Sequence, residues 1–301
     1  MIVRVLGSAA GGGVPQWNCA CPNCRAAREG RAPRRSQSGL AVSADGERWL
    51  LLNCSPDIAG QIEAFEPLQP RETRGTPIAG MLLTDANVDH IGGLAVLRQS
   101  GAHCFAVRSS AVVREIACAQ TAFAPFALPP HRWIDVRAGE PCAPAWPGDP
   151  IGSDLAVRAI PVPGTTPGYD GRREIEGAVL AYEISQPGGA ATLLYAPVFA
   201  EVDEALADAV AAATIAVLDG TFYSDDELLA QDLMPKTARS LGHLPAGGAD
   251  GTLARLGRSG ARVIFTHVNN SNPMLDPRSA AHARMREAGA ELAYDGMELV
   301  L

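Results

Sequence analysis

Long apolar runs are missing from this 301-residue chain, and so are runs of one charge. No window approaches the roughly 18 uninterrupted apolar residues that a bilayer core demands. The best candidate, ALADAVAAATIAVL, is alanine-rich and broken by Asp208, so no membrane insertion is expected. No Lys/Arg run exceeds two residues and the formal net charge is -8, which argues against nucleic acid or an anionic membrane surface as partner. The opening residues, MIVRVLGSAAGGG, lack a basic stretch followed by a long apolar one, so no signal peptide is expected and the cytoplasm is the expected location. A disulfide framework is also unsupported. Seven cysteines is an odd number, and the crowding of Cys19, Cys21 and Cys24 suits a metal knuckle in a reducing compartment better than paired bridges.

What is present is the composition of a folded protein, 47% hydrophobic and 19% charged. Short β-type runs recur as IVRVLG, LAVSA, RWLLLN, GMLLT, LAVRAI, AVLAYEI, ATLLYA, TIAVL, ARVIFTH and MELVL. Helical patterns fall between several of them, after His90 (IGGLAVLRQS), at 201–212, at 247–258 and at 277–288. The early strands follow one another as hairpins and the later ones alternate with helices, which predicts a mixed α/β chain with helix-covered sheets. The proline-rich stretch 141–150 reads as a surface loop, because strand patterns resume directly after it, and one domain over 1–301 is expected.

NCACPNC places Cys19, Cys21 and Cys24 in a C-x-C-x₂-C spacing, with Pro22 and Asn23 favouring the tight turn that brings the sulfurs together. Thiolates so placed converge on a soft ion, and zinc in a closed structural site takes four ligands. The fourth must come from elsewhere, with His243 in SLGHLP the first choice and Cys54 in LLNCSP the second. Two further stretches carry ligand chemistry. In LLTDANVDHIGG an apolar strand ends and a helix begins, with Asp85, Asn87, Asp89 and His90 at the junction. In VIFTHVNNSNP, His267 directly follows a strand and leads into Asn269, Asn270 and Asn272. Side chains at such strand ends project from the sheet edge where ligand sites of α/β architectures form.

LLTDANVDHIGGL resembles the T-H-x-H-x-D-H-x-G-G signature of the metallo-β-lactamase superfamily, with Asp85 and Asn87 where the first two histidines belong. PVPGTTPGY resembles that superfamily's P-G-H-T-P-G segment with Thr165 in the histidine's place, and LLYAPVF its bridging-aspartate strand with Val198 there instead. FTHVNN matches the last histidine through His267. The resemblance covers essentially the whole chain and implies a four-layer αββα sandwich of two mixed sheets flanked by helices. The departures imply that one of the two metal sites is lost while Asp89, His90 and His267 keep the other. Two histidines and one carboxylate with open positions form the facial triad of non-haem Fe(II) oxygenases, and the same set holds catalytic zinc in some hydrolases. Loss of the second ion weighs against hydrolysis, because that ion helps activate water and stabilise the leaving oxygen. Asp85 is expected to orient a ligand or accept a proton near the metal.

The combination of WNCACPNC, SQSGLAVS, LNCSPDI, VLDGTFY, GHLP and THVNNSNP with these segments is more specific, and resembles the pyrroloquinoline-quinone (PQQ) biosynthesis protein B family. That resemblance implies a cytoplasmic role in making PQQ from a Glu-Tyr pair of a precursor peptide. It implies Fe(II) at Asp89, His90 and His267 with dioxygen as co-substrate, in a hydroxylase acting on the tyrosine ring. It also implies a structural zinc at Cys19, Cys21, Cys24 and His243. Two other functions stay open: a non-catalytic carrier that passes PQQ or its precursor toward the periplasm, and a mononuclear zinc hydrolase. Within this frame a carboxylate-bearing substrate is expected to meet Arg34, Arg35 and Gln37, with Asn269, Asn270 and Asp219 lining the same pocket. Tyr223 reads as structural, and other proteins of the pathway or a second copy of the chain are the expected macromolecular partners.

Overall fold

The computed structural model describes residues 1–100, 103–256 and 259–301. Two sheets face each other. The first has seven strands in the order β13-β1-β2-β3-β4-β5-β6, namely Glu298–Val300, Ile2–Gly7, Gly39–Ser43, Trp49–Leu52, Ile78–Leu82, Ala106–Ser109 and Arg132–Asp135. The second has six in the order β12-β11-β10-β9-β8-β7, namely Glu291–Leu292, Arg262–Thr266, Ile215–Asp219, Thr192–Ala196, Leu180–Ser185 and Ala156–Pro161.

Strand alternation sorts the side chains into layers. Leu50 and Leu52 of β3 meet Val217 of β10 and Tyr195 of β9 between the sheets. Their neighbours Trp49 and Leu51 point outward onto Ile58, Leu94 and Ile116 of the covering helices. Ala216 and Leu218 likewise point outward, onto Leu206 and Val210 of the helix Glu204–Ala212. The result is the expected sandwich of helices, two mixed sheets and helices.

Each sheet carries a parallel half, β3 to β6 in the first and β9 to β12 in the second. The loops leaving these parallel strands run together at one edge, and the site is built there. β4 runs into Asp85, β10 ends on Asp219, and β11 is followed directly by His267.

Every strand read from the sequence forms, but three more exist. β5 and β6 are short, and β12 has two residues, too few for an alternating pattern to stand out. The helix placed after His90 starts earlier, at Val88–Ile91, and continues as Gly93–Leu97, so Asp89 and His90 sit in its first turn. The 247–258 pattern appears as Thr252–Leu256, and its last two positions lie outside the described residues. No helix among the described residues is long and apolar enough to cross a membrane.

One buried ion pair ties β5 to the loop ahead of β7. Arg108 is fully buried and donates to Asp149, whose carboxylate also accepts from Ala145 N at 2.7 Å and Ile151 N at 3.0 Å. Deleting one partner leaves a charge buried without compensation, which costs about 3–5 kcal/mol. Asp149→Ala is therefore expected to lower the unfolding free energy by that amount, with a lower denaturation midpoint, and the double change Arg108→Met with Asp149→Leu to recover most of it. Urea titrations of the three variants check this, and an Asp149→Ala midpoint equal to that of the unmodified chain would refute it.

Candidate metal centre

Asp89 and His90 from the first turn of the helix Val88–Ile91 and His267 from the loop after β11 converge, with their ligand atoms within 4.8 Å of one another. The His90 and His267 rings lie 5.0 Å apart, and His267 Nε2 is 3.1 Å from Asp89 Oδ2. Each imidazole is held from behind. His90, with no exposed surface, places Nδ1 2.6 Å from Asp85 Oδ2. Asp85 in turn accepts from Thr84 Oγ1 at 2.8 Å, from the Asn87 backbone N–H at 2.9 Å and from Asn87 Nδ2 at 2.8 Å. His90 Nδ1 is thereby occupied, and Nε2 is the nitrogen left to face an ion. On the other side His267 Nδ1 lies 2.7 Å from Thr221 Oγ1, which donates to Asp219 Oδ1 at 2.6 Å. This is the outer-layer support that orients metal-binding imidazoles and raises their basicity.

The backbone is shaped to the same end. His267 has φ +56°, a left-handed conformation that a non-glycine residue adopts only when its surroundings impose it. The glycine-rich loop after β1 closes over the carboxylate, with Ala10 N donating to Val268 O at 3.0 Å. A side chain at Gly11 would come within 3.2 Å of Asp89 Oδ2, so glycine lets the loop lie this close without pressing on the carboxylate.

Charge in the cluster is strongly coupled. Burial alone would raise the Asp89 carboxyl, but His90 and His267 outweigh it and hold the group well below the usual carboxylate range. Burial pulls His90 down, and the carboxylates of Asp85 and Asp89 overcome it and push the imidazole up to about 9. Asp219 is kept low against burial by His243 and His267. Three carboxylates facing three imidazoles is a donor set that suits a divalent cation, and two histidines with one carboxylate fit iron or zinc.

A cavity of about 180 Å3 opens beside Asp89 and His267. Asn87, Thr165 and Val198, three of the four positions where the superfamily signature carries further metal ligands, line it, while the fourth, Asp85, stands behind His90. Space that a second ion would need is thus walled by residues that bind metal poorly. His243 and Arg172 line the same cavity.

Several expected roles are corrected by this arrangement. His243 does not complete the cysteine set. Its Nδ1 lies 2.7 Å from Asp219 Oδ2, its ring stacks 5.5 Å from His267, and the fold brings it to the Asp219–His267 group instead. Asp219 does not line the cavity but stands behind His243, fully buried. Cys54 is buried under the Gly92–Gly93 turn, and burial raises its thiol far above the ordinary range. Arg34 and Arg35 border a separate groove of about 700 Å3 on the far side of Gly12 and Gly13. Arg35 is tied down by Ser8 Oγ at 2.9 Å and by the Ala293 carbonyl, which disqualifies it as a free anchor. Gln37 donates from N and Nε2 to Asp57 Oδ2 at 2.9 and 3.0 Å and its Oε1 accepts from Gly12 N at 3.2 Å, so it braces the glycine loop. Asn269 does line the cavity, whereas Asn270 turns toward the cysteines and Asn272 caps the turn Pro273–Leu275. Tyr223 packs over Gly247 outside the cavity lining.

The residues missed by sequence reasoning are Arg172 and Thr221. GYDGRRE marks no anchor, since Arg172 and Arg173 look alike in sequence, and it is Arg172, at a left-handed φ of +52°, that lines the cavity. Thr221 follows Asp219 by two positions, and a threonine in VLDGTFY signals nothing without the fold.

Comparison with known proteins places this geometry. The family described as Beta-lactamase superfamily domain matches residues 48–268. The coenzyme PQQ synthesis protein B of Pseudomonas paraeruginosa is 40% identical, with all of both chains covered. The crystal structure of zinc-bound PqqB from Methylobacterium extorquens superposes with a TM-score of 0.91 at 35% identity over the whole of both chains. A diphosphatase of the PhnP family, at 19% identity and a TM-score of 0.69 over 99% of this chain and 96% of its own, shares the fold.

Two outcomes follow from the contacts behind the ligands. Asp85→Ala removes the acceptor that fixes His90 and is expected to weaken active-site metal binding about 10–100-fold, read by calorimetric titration with Mn²⁺; unchanged affinity would show that Asp85 does not orient the ligand. Near the cavity, burial raises Glu227 to about 7 against its bonds from Ser271 Oγ at 2.5 Å and Tyr223 N at 2.7 Å, with neighbouring Asp226 adding to the rise. A carboxyl raised in the folded state favours folding most below its unfolded pKa and loses that contribution as pH climbs through the folded value. Stability is expected to fall between about pH 4.5 and 7 by roughly 3 kcal/mol from this group. Glu227→Gln should flatten that part of the pH–stability curve, and a curve unaltered by the change would rule the assignment out.

Proposed function

The chain belongs to the coenzyme PQQ synthesis protein B family within the β-lactamase superfamily, and on that premise we propose that it serves PQQ biosynthesis as an iron-dependent, dioxygen-using hydroxylase. Its substrate in this reading is the tyrosine ring of a Glu-Tyr-derived precursor. The observation that carries the reading is the asymmetry of the site. His90 and His267 are held by Asp85, Thr221 and Asp219 beside Asp89, while most of the neighbouring ligand positions are cavity wall. A facial set of two imidazoles and one carboxylate leaves coordination positions open, as oxygen chemistry requires.

Fe(II), when bound by these three residues, supplies the redox activation of dioxygen. One oxygen atom enters the ring, and the other leaves as water with two electrons from an external reductant and two protons. The chain's own residues do the rest. Asp219 accepts from His243 Nδ1, which leaves Nε2 as the nitrogen free for proton exchange, and His243 lines the cavity where the phenol would lie. Arg172 has one Nη committed to the Leu241 carbonyl at 2.9 Å and keeps its remaining donors for a substrate carboxylate. Asn269, held against Ser271 Oγ at 2.5 Å, adds polar wall to the same cavity.

Protein prepared without oxygen, loaded with Fe(II) and then given air and a reductant, is expected to convert a Glu-Tyr dipeptide to a product heavier by one oxygen atom, detected by mass spectrometry. If the iron-loaded protein leaves the dipeptide unchanged but binds PQQ tightly, the carrier reading replaces this one. In the active system His243→Ala should lower kcat by roughly 10²-fold or more. Arg172→Ala should instead raise KM about tenfold with little change in kcat. An Arg172→Ala enzyme with unaltered KM would remove that residue from the substrate site.

A further inference from the structure

The groove beyond the glycine loop has a volume of about 700 Å3, against about 180 Å3 for the metal cavity. The wall between them is the loop itself, with Gly11 bordering the cavity and Gly12 and Gly13 the groove. Another wall is the helix Ile58–Glu63 and the residue after it, which present Ala59, Gly60 and Ala64. A Cβ added at Gly60 would meet nothing within 4 Å. Leu6 and Phe65 add buried apolar surface.

Three arginines border this groove in a chain whose formal net charge is -8. Arg34 is exposed and has no hydrogen bond or ion pair among the described residues. Arg35 is half-buried and spends Nη1 on Ser8 Oγ and the Ala293 carbonyl, which fixes the guanidinium without neutralising it. Burial lowers its pKa, and the attraction of Asp295 offsets that only in part. Arg4 lies over the Phe65 ring at 4.7 Å and pairs at 2.7 Å with Glu298, an exposed ion pair of a kind that contributes little. The two carboxylates of the groove are committed to neutral donors. Asp295 accepts from Ser8 Oγ at 2.7 Å, Ser36 N at 2.6 Å and Ser36 Oγ at 2.8 Å, and Asp57 accepts from Gln37. Neither forms an ion pair with an arginine of the groove among the described residues. What the groove offers a ligand is mainly the N–H donors of Arg34 and Arg35.

The charged positions are spread out. Arg35 is anchored at Ser8, four residues beyond Arg4 along β1 and its end, and at roughly 3.3 Å per residue this sets the two positions about 13 Å apart. One carboxylate or one phosphate cannot meet both, whereas side chains spaced along an extended chain can. Guanidinium forks match carboxylates, and walls of glycine and alanine let a second backbone come close. The negative charge of the whole chain disfavours nucleic acid and anionic membrane as occupants. We propose that the groove is a docking site for an extended acidic peptide, whose carboxylates are held by Arg34 and Arg35 at one end and Arg4 at the other. The site goes beyond the hydroxylase reading and serves a catalyst or a carrier alike. A peptide docked there lies one glycine loop away from the metal cavity.

The probe is a fluorescein-labelled eight-residue peptide of alternating glutamate and serine, titrated with full-length protein at low ionic strength and followed by fluorescence anisotropy. Saturable binding is expected, with none for the lysine–serine counterpart. Arg34→Glu should weaken binding about tenfold or more. Gly60→Phe, which fills the groove, should weaken it to a similar degree. In both variants Mn²⁺ affinity at the metal centre, read by calorimetric titration, should match the parent. Absence of saturable binding overturns the proposal, as do equal binding of the lysine peptide and parental affinity in either variant. If Gly60→Phe does not fold, Arg34→Glu decides alone. An oligophosphate that displaces the labelled peptide more strongly than unlabelled peptide does would assign the groove to another class of anion. A dimer that Gly60→Phe converts to monomer in sedimentation would assign it to a second copy of the chain, and either result overturns the proposal. A failure of the dipeptide to be hydroxylated leaves these titrations unaffected, so the two readings fail separately.

Discussion

The site depends on a buried contact that no solvent reaches, Asp85 Oδ2 against His90 Nδ1 at 2.6 Å. In water such a pair is worth little. Inside the protein, with Asp85 saturated by Thr84 and Asn87, the carboxylate has its oxygens committed before any ligand arrives. It can neither swing into the metal position nor release the ring. His90 is therefore presented in one orientation with one nitrogen forward, and the remaining ligands assemble around that fixed point. The backbone follows suit: the His90 carbonyl receives Cys54 N at 2.7 Å, so the helix turn that carries Asp89 and His90 is pinned to the end of β3.

The aspartate that fixes His90 stands where the superfamily signature has a metal-binding histidine. A ligand position has been turned into a support position, and the support serves the metal site that remains. Across the cavity the same logic recurs with different residues, Asp219 holding His243 and, through Thr221, His267. Two buried carboxylates thus control three imidazoles. Only Asp89, 16% exposed and set between His90 and His267, faces the ion position directly.

Much of this was legible in the sequence, and the reasons the rest was not are physical. Strands such as ARVIFTH and TIAVL are long, apolar and β-branched, and their ends carry His267 and Asp219, so both the sheets and the convergence of Asp89, His90 and His267 could be read from pattern and resemblance. What failed was the assignment of partners across long sequence separations. His243 lies in a loop with no periodicity, and whether it meets Cys19 or Asp219 is settled by the turn Arg239–Leu241 and the left-handed Gly242, neither of which announces a destination. Arg34 and Arg35 sit beside residues near the site in sequence, yet the tight backbone pairing of Val14 with Arg35 turns them to the opposite side of the glycine loop. Proximity along the chain does not carry over to proximity in space here.

The distribution of support also bears on the choice between catalyst and carrier. A protein that only binds a small polar molecule needs a complementary surface, and imidazoles there could rotate freely or be replaced. Here each histidine of the cluster has a dedicated buried acceptor, and His267 is held in a strained backbone conformation that costs on the order of 1–3 kcal/mol. Buried carboxylates such as Asp85 and Asp219 add a desolvation cost to that strain, offset only by the contacts that orient the rings. A retired site is expected to lose such costs first, because nothing opposes relaxation of a loop whose geometry no longer matters. The other side of the cavity carries no such cost, since Asn87, Thr165 and Val198 ask for no special backbone and offer weak metal donors. Strain kept on one wall and absent from the other argues for a site that still works through its oriented imidazoles.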